Sequence, residues 1–397
     1  MKISACILAK NEELHIEECI LSIREFVDEI IVIDNGSCDS TKKIAADLGC
    51  KVITVEEGIE SELRNEYLKI ANGDWILTLD ADERVTKDFG CLINKEIRKC
   101  SNNIWGFRVP MYNYYGDGKW SSIITCRIFK NTEKIYYAEG DIHPTIADTI
   151  YANGKNLGFI PSPIHHLDAL IKDRTPAKRI NYINKIKKTV QHNPEKNNTY
   201  RLINYLGVEY TALNRYKEAE ECFITSAQKD MQNSYLSYLY LAQLYIIEKK
   251  LPEARIIISK ILDIDYKEVL KKLNFNITES LFEDIKIMVD DITQRALVML
   301  AEIEVQNNNF ELAEKYCLDA LNIWPFAAHL YLNAASLTKD REMAKEYIEK
   351  AVINNPFLKN KVIYTKGYTP NIYRQQTSLL SSTIEIINEL KDQYGVN

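Results

Sequence analysis

The chain has 397 residues, of which 46% are hydrophobic, and a formal net charge of −6 at pH 7. That length predicts two or three domains with enough apolar material for a substantial core. So slight a charge gives no electrostatic reason to expect nucleic acid or an anionic membrane as partner. Nine cysteines with no Cys-x-x-Cys pair argue against a disulfide framework or a structural zinc site, and for a reducing, cytoplasmic setting. An apolar run starts within three residues of Met1 and leaves no room for a secretory signal. No run of about 18 apolar residues predicts a membrane span.

The first 80 residues alternate strand and helix patterns. Residues 3–8 form an apolar run, and 12–26 show helical spacing with Ile16, Ile20 and Ile23 on one face. A second strand over 29–33 ends in Asp34-Asn35-Gly36-Ser37, and a helix capped by Asp39 or Ser40 runs to about 48. A third strand over 51–55, a helix over 61–71 and a fourth strand over 75–79 follow. Such alternation with short loops predicts a mainly parallel sheet flanked by helices, with ligands bound beyond the carboxyl ends of the strands. From 104 to about 167, short β-like segments (105–110, 123–129, 134–137) extend this into a mixed sheet that shapes a second-substrate pocket.

From Pro176 onward the patterns are helical and repeat. Leu206, Gly207, Tyr210, Tyr216, Ala219, Phe223 and Ala227 form one copy. Ala242, Tyr245, Leu251, Ala254, Ile258 and Ile261 form a second, and Leu300, Ala301, Phe310, Ala313, Cys317, Ala320 and Pro325 a third. A fourth, shortened in its first turn, carries Ala344, Ile348, Ala351 and Pro356. Residues 265–291 fit poorly, as an insertion or a degenerate copy, and a last helix over 376–391 caps the array.

One stretch carries the most chemistry: Asp74-Trp75-Ile76-Leu77-Thr78-Leu79-Asp80-Ala81-Asp82-Glu83. A buried strand that ends in two carboxylates one residue apart can hold a hard divalent cation and, through it, a diphosphate. Taken alone, Asp-X-Asp reads as readily as a solvated turn capping the next helix. Asp34 likewise has a plain reading as a turn-forming aspartate, and Arg64 as a helix-surface partner of Glu60 at i+4 spacing.

Four blocks in order decide between these readings. They are Ala9-Lys10-Asn11-Glu12, Val32 through Thr41, Arg64-Asn65, and Trp75 through Glu83. Together they resemble the family 2 glycosyltransferases of GT-A fold, over roughly residues 1–170, and the helical copies resemble tetratricopeptide repeats. The fold class expected is therefore an α/β N-terminal GT-A domain (1–170), a helical linker (171–198), an all-α tetratricopeptide-like solenoid (199–356) and a capping segment (357–397).

The resemblance implies a metal-dependent, inverting hexosyltransferase using a UDP-sugar donor with Mg²⁺ or Mn²⁺. It places Ala9, Glu12, Asp34, Arg64, Asp80 and Arg127 around the nucleotide, with Asp34 on the base and Asp80 near the ribose. Asp82 is the implied metal ligand, and His166 rather than His165 aligns with the histidine that completes the metal or diphosphate site. Arg127-Ile128-Phe129-Lys130, followed by Gly140-Asp141-Ile142-His143-Pro144, resembles a later signature in which Pro144 replaces the family's Glu. The catalytic base then passes to Asp141, Glu139 or His143. Asn65 is expected to position backbone rather than touch substrate.

A GT-A domain fused to such repeats resembles the sublancin-type peptide S-glycosyltransferases, which implies a peptide or protein acceptor modified at Cys or Ser, such as a bacteriocin precursor. Repeats offer extended surfaces for a peptide, or else they mediate a homodimer or stiffen the catalytic domain. The alternatives are a transferase of cell-surface polysaccharide or lipid-linked glycan assembly and a non-enzymatic repeat scaffold.

Overall fold

A computed structural model describes residues 1–56, 58–138, 145–170, 175–192, 199–229, 234–263, 279–367 and 378–395. It has the expected class: an α/β part followed by an all-α part. Two compact units divide the chain. The first holds residues 1–112, 123–167 and 277–284, and the second holds 113–122, 168–276 and 285–397.

The first unit is built on a nine-stranded sheet. Its strands are β1 (Ile3–Ala9), β2 (Glu29–Asp34), β3 (Lys51–Thr54), β4 (Trp75–Asp80), β5 (Glu83–Arg84), β6 (Ile104–Gly116), β7 (Lys119–Lys130), β8 (Asn156–Phe159) and β9 (Ile164–His166). The order is β3-β2-β1-β4-β7-β6-β9-β5, with β8 on β6. β1 is parallel to both β2 and β4, β2 is parallel to β3, and β7 runs antiparallel to β4. The chain steps outward from β1 to β2 and β3, then returns to β4 on the other side of β1. That reversal is a topological switch point, where sheets of this kind bind ligands.

Because crossovers keep one hand, the reversal also changes the face that the helices cover. Helices α1 (Ile16–Ile23), α2 (Thr41–Asp47) and α4 (Lys87–Lys99) pack Ile16, Ile20, Ile23, Ala45, Phe89 and Ile93 on one face, against Ile3, Ala5, Ile7, Val32, Leu77 and Leu79. Helices α3 (Glu60–Ile70) and α5 (Ala147–Ala152) bring Tyr67, Ala147 and Ile150 to the other, against Cys6, Ile31, Ile33 and Ile76. Burial on both faces explains the unbroken apolar runs of these strands.

Two local expectations are corrected. The helical pattern read from residue 12 becomes helix only at Ile16, because Asn11 takes a left-handed φ of 56° and the chain turns there first. Residues 134–137 are not a strand. Ile135 and Tyr137 are buried as a strand's would be, but the main chain of Tyr137 bonds to the Asn65 side chain instead of a neighbouring strand.

Among the described residues of the helical part, α6 (Thr175–His192) precedes four helix pairs. They are α7 (Thr199–Ala212) with α8 (Tyr216–Lys229), α9 (Ser234–Ile247) with α10 (Leu251–Leu262), α11 (Glu279–Gln306) with α12 (Phe310–Ile323), and α13 (Ala328–Leu337) with α14 (Arg341–Asn354). Asn214, Lys249 and Asn308, between the helices of the first three pairs, all have φ of 57–60°. This left-handed residue stops each first helix and lets the chain double back. Residues 264–278 lie outside the described ones, and the remainder of the poorly fitting stretch is the start of the 28-residue α11. The capping helix α15 spans Ile384–Tyr394.

Small residues let these helices approach. Ala219, Ala254 and Ala313 are fully buried, and a Cβ on Gly207 would lie 2.5 Å from the buried Phe223 ring. Gly207→Ala is expected to lower stability by about 1–3 kcal/mol, read as a lower urea midpoint of the helical unit.

The first helices of the last two pairs also hold the chain's own segment 378–383. The Asn333 side chain donates to the Ser378 carbonyl and accepts from the Leu380 amide, both at 3.0 Å. Glu302 accepts from the Ser381 amide at 2.9 Å. Among the described residues, no helix is long and apolar enough to cross a membrane.

Candidate active site

The site is the rim where β1, β2 and β4 end. Asp34 is registered with Ala9, and Asp80 with Leu8, so the two acids flank β1, about 10 Å apart at two inter-strand spacings. The pleat turns Asp34 toward the α1 and α2 face and Asp80 toward α3. A ligand that touches both must cross the end of β1, where Ala9 offers only a methyl group.

The loops after β1 and β2 are stitched together. The Asn11 amide donates to Ser37 Oγ at 2.9 Å, and its Oδ1 accepts from the Cys38 amide at 2.9 Å. The Glu12 amide donates to Thr41 Oγ1 at 2.7 Å, and Glu12 itself is buried. These bonds account for the Ala9-to-Glu12 and Ser37-to-Thr41 blocks as rim architecture. Asp34 is fully buried. Its carboxylate receives the Ser37 amide at 3.3 Å to each oxygen and lies 4.0 Å from Lys42 Nζ. Buried carboxylates normally gather short donors, and Asp34 keeps acceptor capacity in hand.

Around Asp80 the charges are tightly paired. Arg64 Nη2 donates to one oxygen at 2.6 Å, and Arg127 Nη2 to the other at 3.3 Å. Arg64 also donates from Nε to Glu60 at 2.9 Å, so the i+4 pair and the site contact coexist. Burial opposes the Asp80 charge, but Arg64 and Arg127 outweigh it and hold the carboxyl well below the usual range. Arg64 Nη1 and Arg127 Nε are buried without hydrogen-bond partners, leaving both guanidinium groups with donors to spare.

Glu83 was not singled out from the sequence. It is fully buried, takes the second bond of Arg127 and accepts from the Asp80 amide at 2.9 Å. Burial pushes its carboxyl up to about 7, helped by the Asp80 charge and opposed by Arg127. Its adjacency to the Asp-X-Asp was the only signal available.

The two-residue strand β5 pairs antiparallel with β9, matching Glu83 to His166 and Arg84 to His165. The Leu167 amide donates to the Asp82 carbonyl at 3.1 Å. His166 Nε2 therefore comes 3.6 Å from Asp82 Oδ2. Alternation sends His165 the other way, fully buried and edge-on to Tyr112, and burial lowers its pKa to about 3. The pair beside Asp82 is thus completed by His166.

Among the described residues, no group of three or more His, Cys, Asp or Glu side chains could hold a metal ion. One carboxylate and one imidazole fit a hard or borderline cation that draws its other ligands from phosphate oxygens and water. Glu139, Asp141 and His143, expected to supply the base, lie outside the described residues, as does Pro144.

Residues 4–152 match the family model described as glycosyl transferase family 2, so this part of the chain is a family 2 glycosyltransferase domain. It precedes the tetratricopeptide-like repeats. Among curated relatives, an uncharacterized glycosyltransferase of Rickettsia bellii is 42% identical over 88 residues, 22% of this chain and 30% of its own. A TPR repeat-containing protein of Synechococcus elongatus is 39% identical over 85 residues, 21% of each chain. The SPbeta prophage-derived glycosyltransferase SunS of Bacillus subtilis is 33% identical over 92 residues, 22% of this chain and 21% of its own. The chain thus spans less than a third of each of these relatives. Among solved structures, glucosyl-3-phosphoglycerate synthase from Mycobacterium tuberculosis, in complex with Mn²⁺, UDP and glucosyl-3-phosphoglycerate, is 27% identical over 30% of this chain and 46% of its own, with a TM-score of 0.26.

Proposed function

We propose that the chain transfers a sugar, with inversion, from a UDP-sugar to a peptide or protein side chain, Cys or Ser. The observation that carries the donor half is the rim: an under-bonded buried carboxylate, Asp34, stands across β1 from the Asp80–Asp82 turn. Asp34 would accept the ring N–H of the base. Asp80, oriented by Arg64 and Arg127, would take the ribose hydroxyls. The spare donors of the two arginines add positive charge beside the diphosphate.

Asp82 and His166 would hold Mg²⁺ or Mn²⁺, which supplies charge neutralisation on the departing nucleoside diphosphate. A base at Glu139, Asp141 or His143 would take the acceptor proton as the nucleophile attacks opposite the leaving group. A thiol acceptor needs that base less, being partly ionised near neutral pH.

The resemblance of the domain-plus-repeat arrangement to the sublancin-type peptide S-glycosyltransferases supports a peptide acceptor. A cytoplasmic setting, and a homodimer through the repeats, complete this reading.

Calorimetry with UDP and Mn²⁺ tests the donor half. Binding is expected in the micromolar range, lost on chelation and weakened at least about tenfold by Asp34→Ala, the worth of one hydrogen bond to a charged group. No binding by the parent chain would leave the scaffold reading standing. Intact-mass screening of a Cys- and Ser-containing peptide against a lipid-linked glycan acceptor tests the acceptor half.

A further inference from the structure

Asn65 follows Arg64 on α3, and its side chain makes both main-chain hydrogen bonds of Tyr137. Nδ2 donates to the Tyr137 carbonyl at 2.8 Å, and Oδ1 accepts from the Tyr137 amide at 2.8 Å. The amide stands in for a neighbouring strand where the sheet provides none. Tyr137 is buried, with its ring edge-on to Tyr67 and Phe129 and its hydroxyl 3.2 Å from that of Tyr67. The Arg64 guanidinium lies over the same ring, 5.8 Å from its centroid, and reaches Asp80 from there.

We infer that Asn65 is a positioning residue for the donor site. By fixing the main chain of Tyr137 it fixes the ring on which Arg64 rests, and so the direction from which Arg64 meets Asp80. Arg64 and Asn65, adjacent in sequence, then act on one target by two routes, one direct and one through Tyr137. The inference rests on the donor-site reading above. A residue that only completed the main chain of a loop would stabilise the fold without touching nucleotide affinity. The relay makes the Tyr137 ring its obligatory middle.

A double-mutant cycle on the full chain tests this, with UDP and Mn²⁺ as the calorimetric probe. Asn65→Ala and Tyr137→Leu are each expected to weaken UDP by about tenfold. The double variant should weaken it by about the same tenfold rather than about a hundredfold, because members of one chain of contacts are not additive. Asn65→Asp supplies a second signature. Its protonated carboxyl donates and accepts as the amide does, whereas the ionised form only accepts. UDP affinity relative to the parent should therefore be low at pH 8 and recover only as the pH falls toward the ordinary aspartate range of about 4. Additive losses, or parental UDP affinity in a folded Asn65→Ala protein, would overturn the relay. Should the parent bind no UDP, the donor-site reading fails by itself. The relay is then decided by the side-chain NMR signal of Arg64 in Asn65→Ala, which moves toward its position in Tyr137→Leu if the relay holds and stays at the parent's position if it does not.

Discussion

Asp82→Ala is expected to abolish sugar transfer, lowering kcat by about 10³-fold or more, some 4 kcal/mol of barrier, while the fold survives. On the proposed reading, the loss should be this large because Asp82 and His166 are the carboxylate and the imidazole that would hold the cation. Removing the carboxylate of that pair would weaken the hold on a cation that, on the same reading, would neutralise charge on the departing diphosphate. The fold should survive because Asp82 joins the β5–β9 pairing through its carbonyl, which accepts the Leu167 amide whatever the side chain. The measurement is turnover against Mn²⁺ concentration, with circular dichroism and thermal melting as the fold control. Activity within about tenfold of the parent at saturating Mn²⁺ would remove Asp82 from the metal site. His166→Ala should follow in the same direction but raise the Mn²⁺ requirement more than it lowers kcat, since a neutral imidazole contributes affinity without a formal charge.

The second large effect is on stability. Asp284, from the first turns of α11, is buried in the sheet unit. Its carboxylate accepts from Arg108 Nε at 2.8 Å and from the Tyr151 hydroxyl, which in turn accepts from Arg108 Nη2 at 2.5 Å. Burial, against the pull of Arg108, raises the Tyr151 hydroxyl far above its ordinary range, so the hydroxyl stays protonated and donates to Asp284. Each member of this triad satisfies the other two. Asp284→Ala leaves a buried guanidinium without its counter-charge and should cost about 3–5 kcal/mol. Tyr151→Phe removes one hydroxyl and should cost about 1–3 kcal/mol. Urea unfolding of the sheet unit, followed by hydrogen exchange at β6 and β8, reads both. A loss below about 1 kcal/mol for Asp284→Ala would show that the site rehydrates and that the triad does not organise this region.

The rim was legible because strand ends are local events. An apolar run followed by acids places those acids at the edge of a parallel sheet, and Asp34, Asp80 and Asp82 stand there. Arg64 was readable both ways, and the structure keeps both, since one guanidinium has donors enough for Glu60 and Asp80. Glu83 was invisible because nothing in Asp-Ala-Asp-Glu marks the last acid as buried; β9, some 80 residues later, buries it. Residues 134–137 were misread as a strand because burial pattern alone cannot show whether a backbone's partner is a strand or one asparagine.

The sequence by itself determined the order of elements, the α/β and all-α halves, the repeat and the rim acids, because each rests on spacing within one or two turns or strands. Tertiary structure alone decided which histidine meets Asp82, since the two are adjacent in sequence and only the β5–β9 register sends one to the site and the other into the core. It alone decided that a hairpin tip, residues 113–122, belongs to the helical unit and that residues 277–284 belong to the sheet unit. Such exchanges are settled by which buried groups find partners across long stretches of chain, as Arg108 finds Asp284. A local pattern holds no record of that pairing.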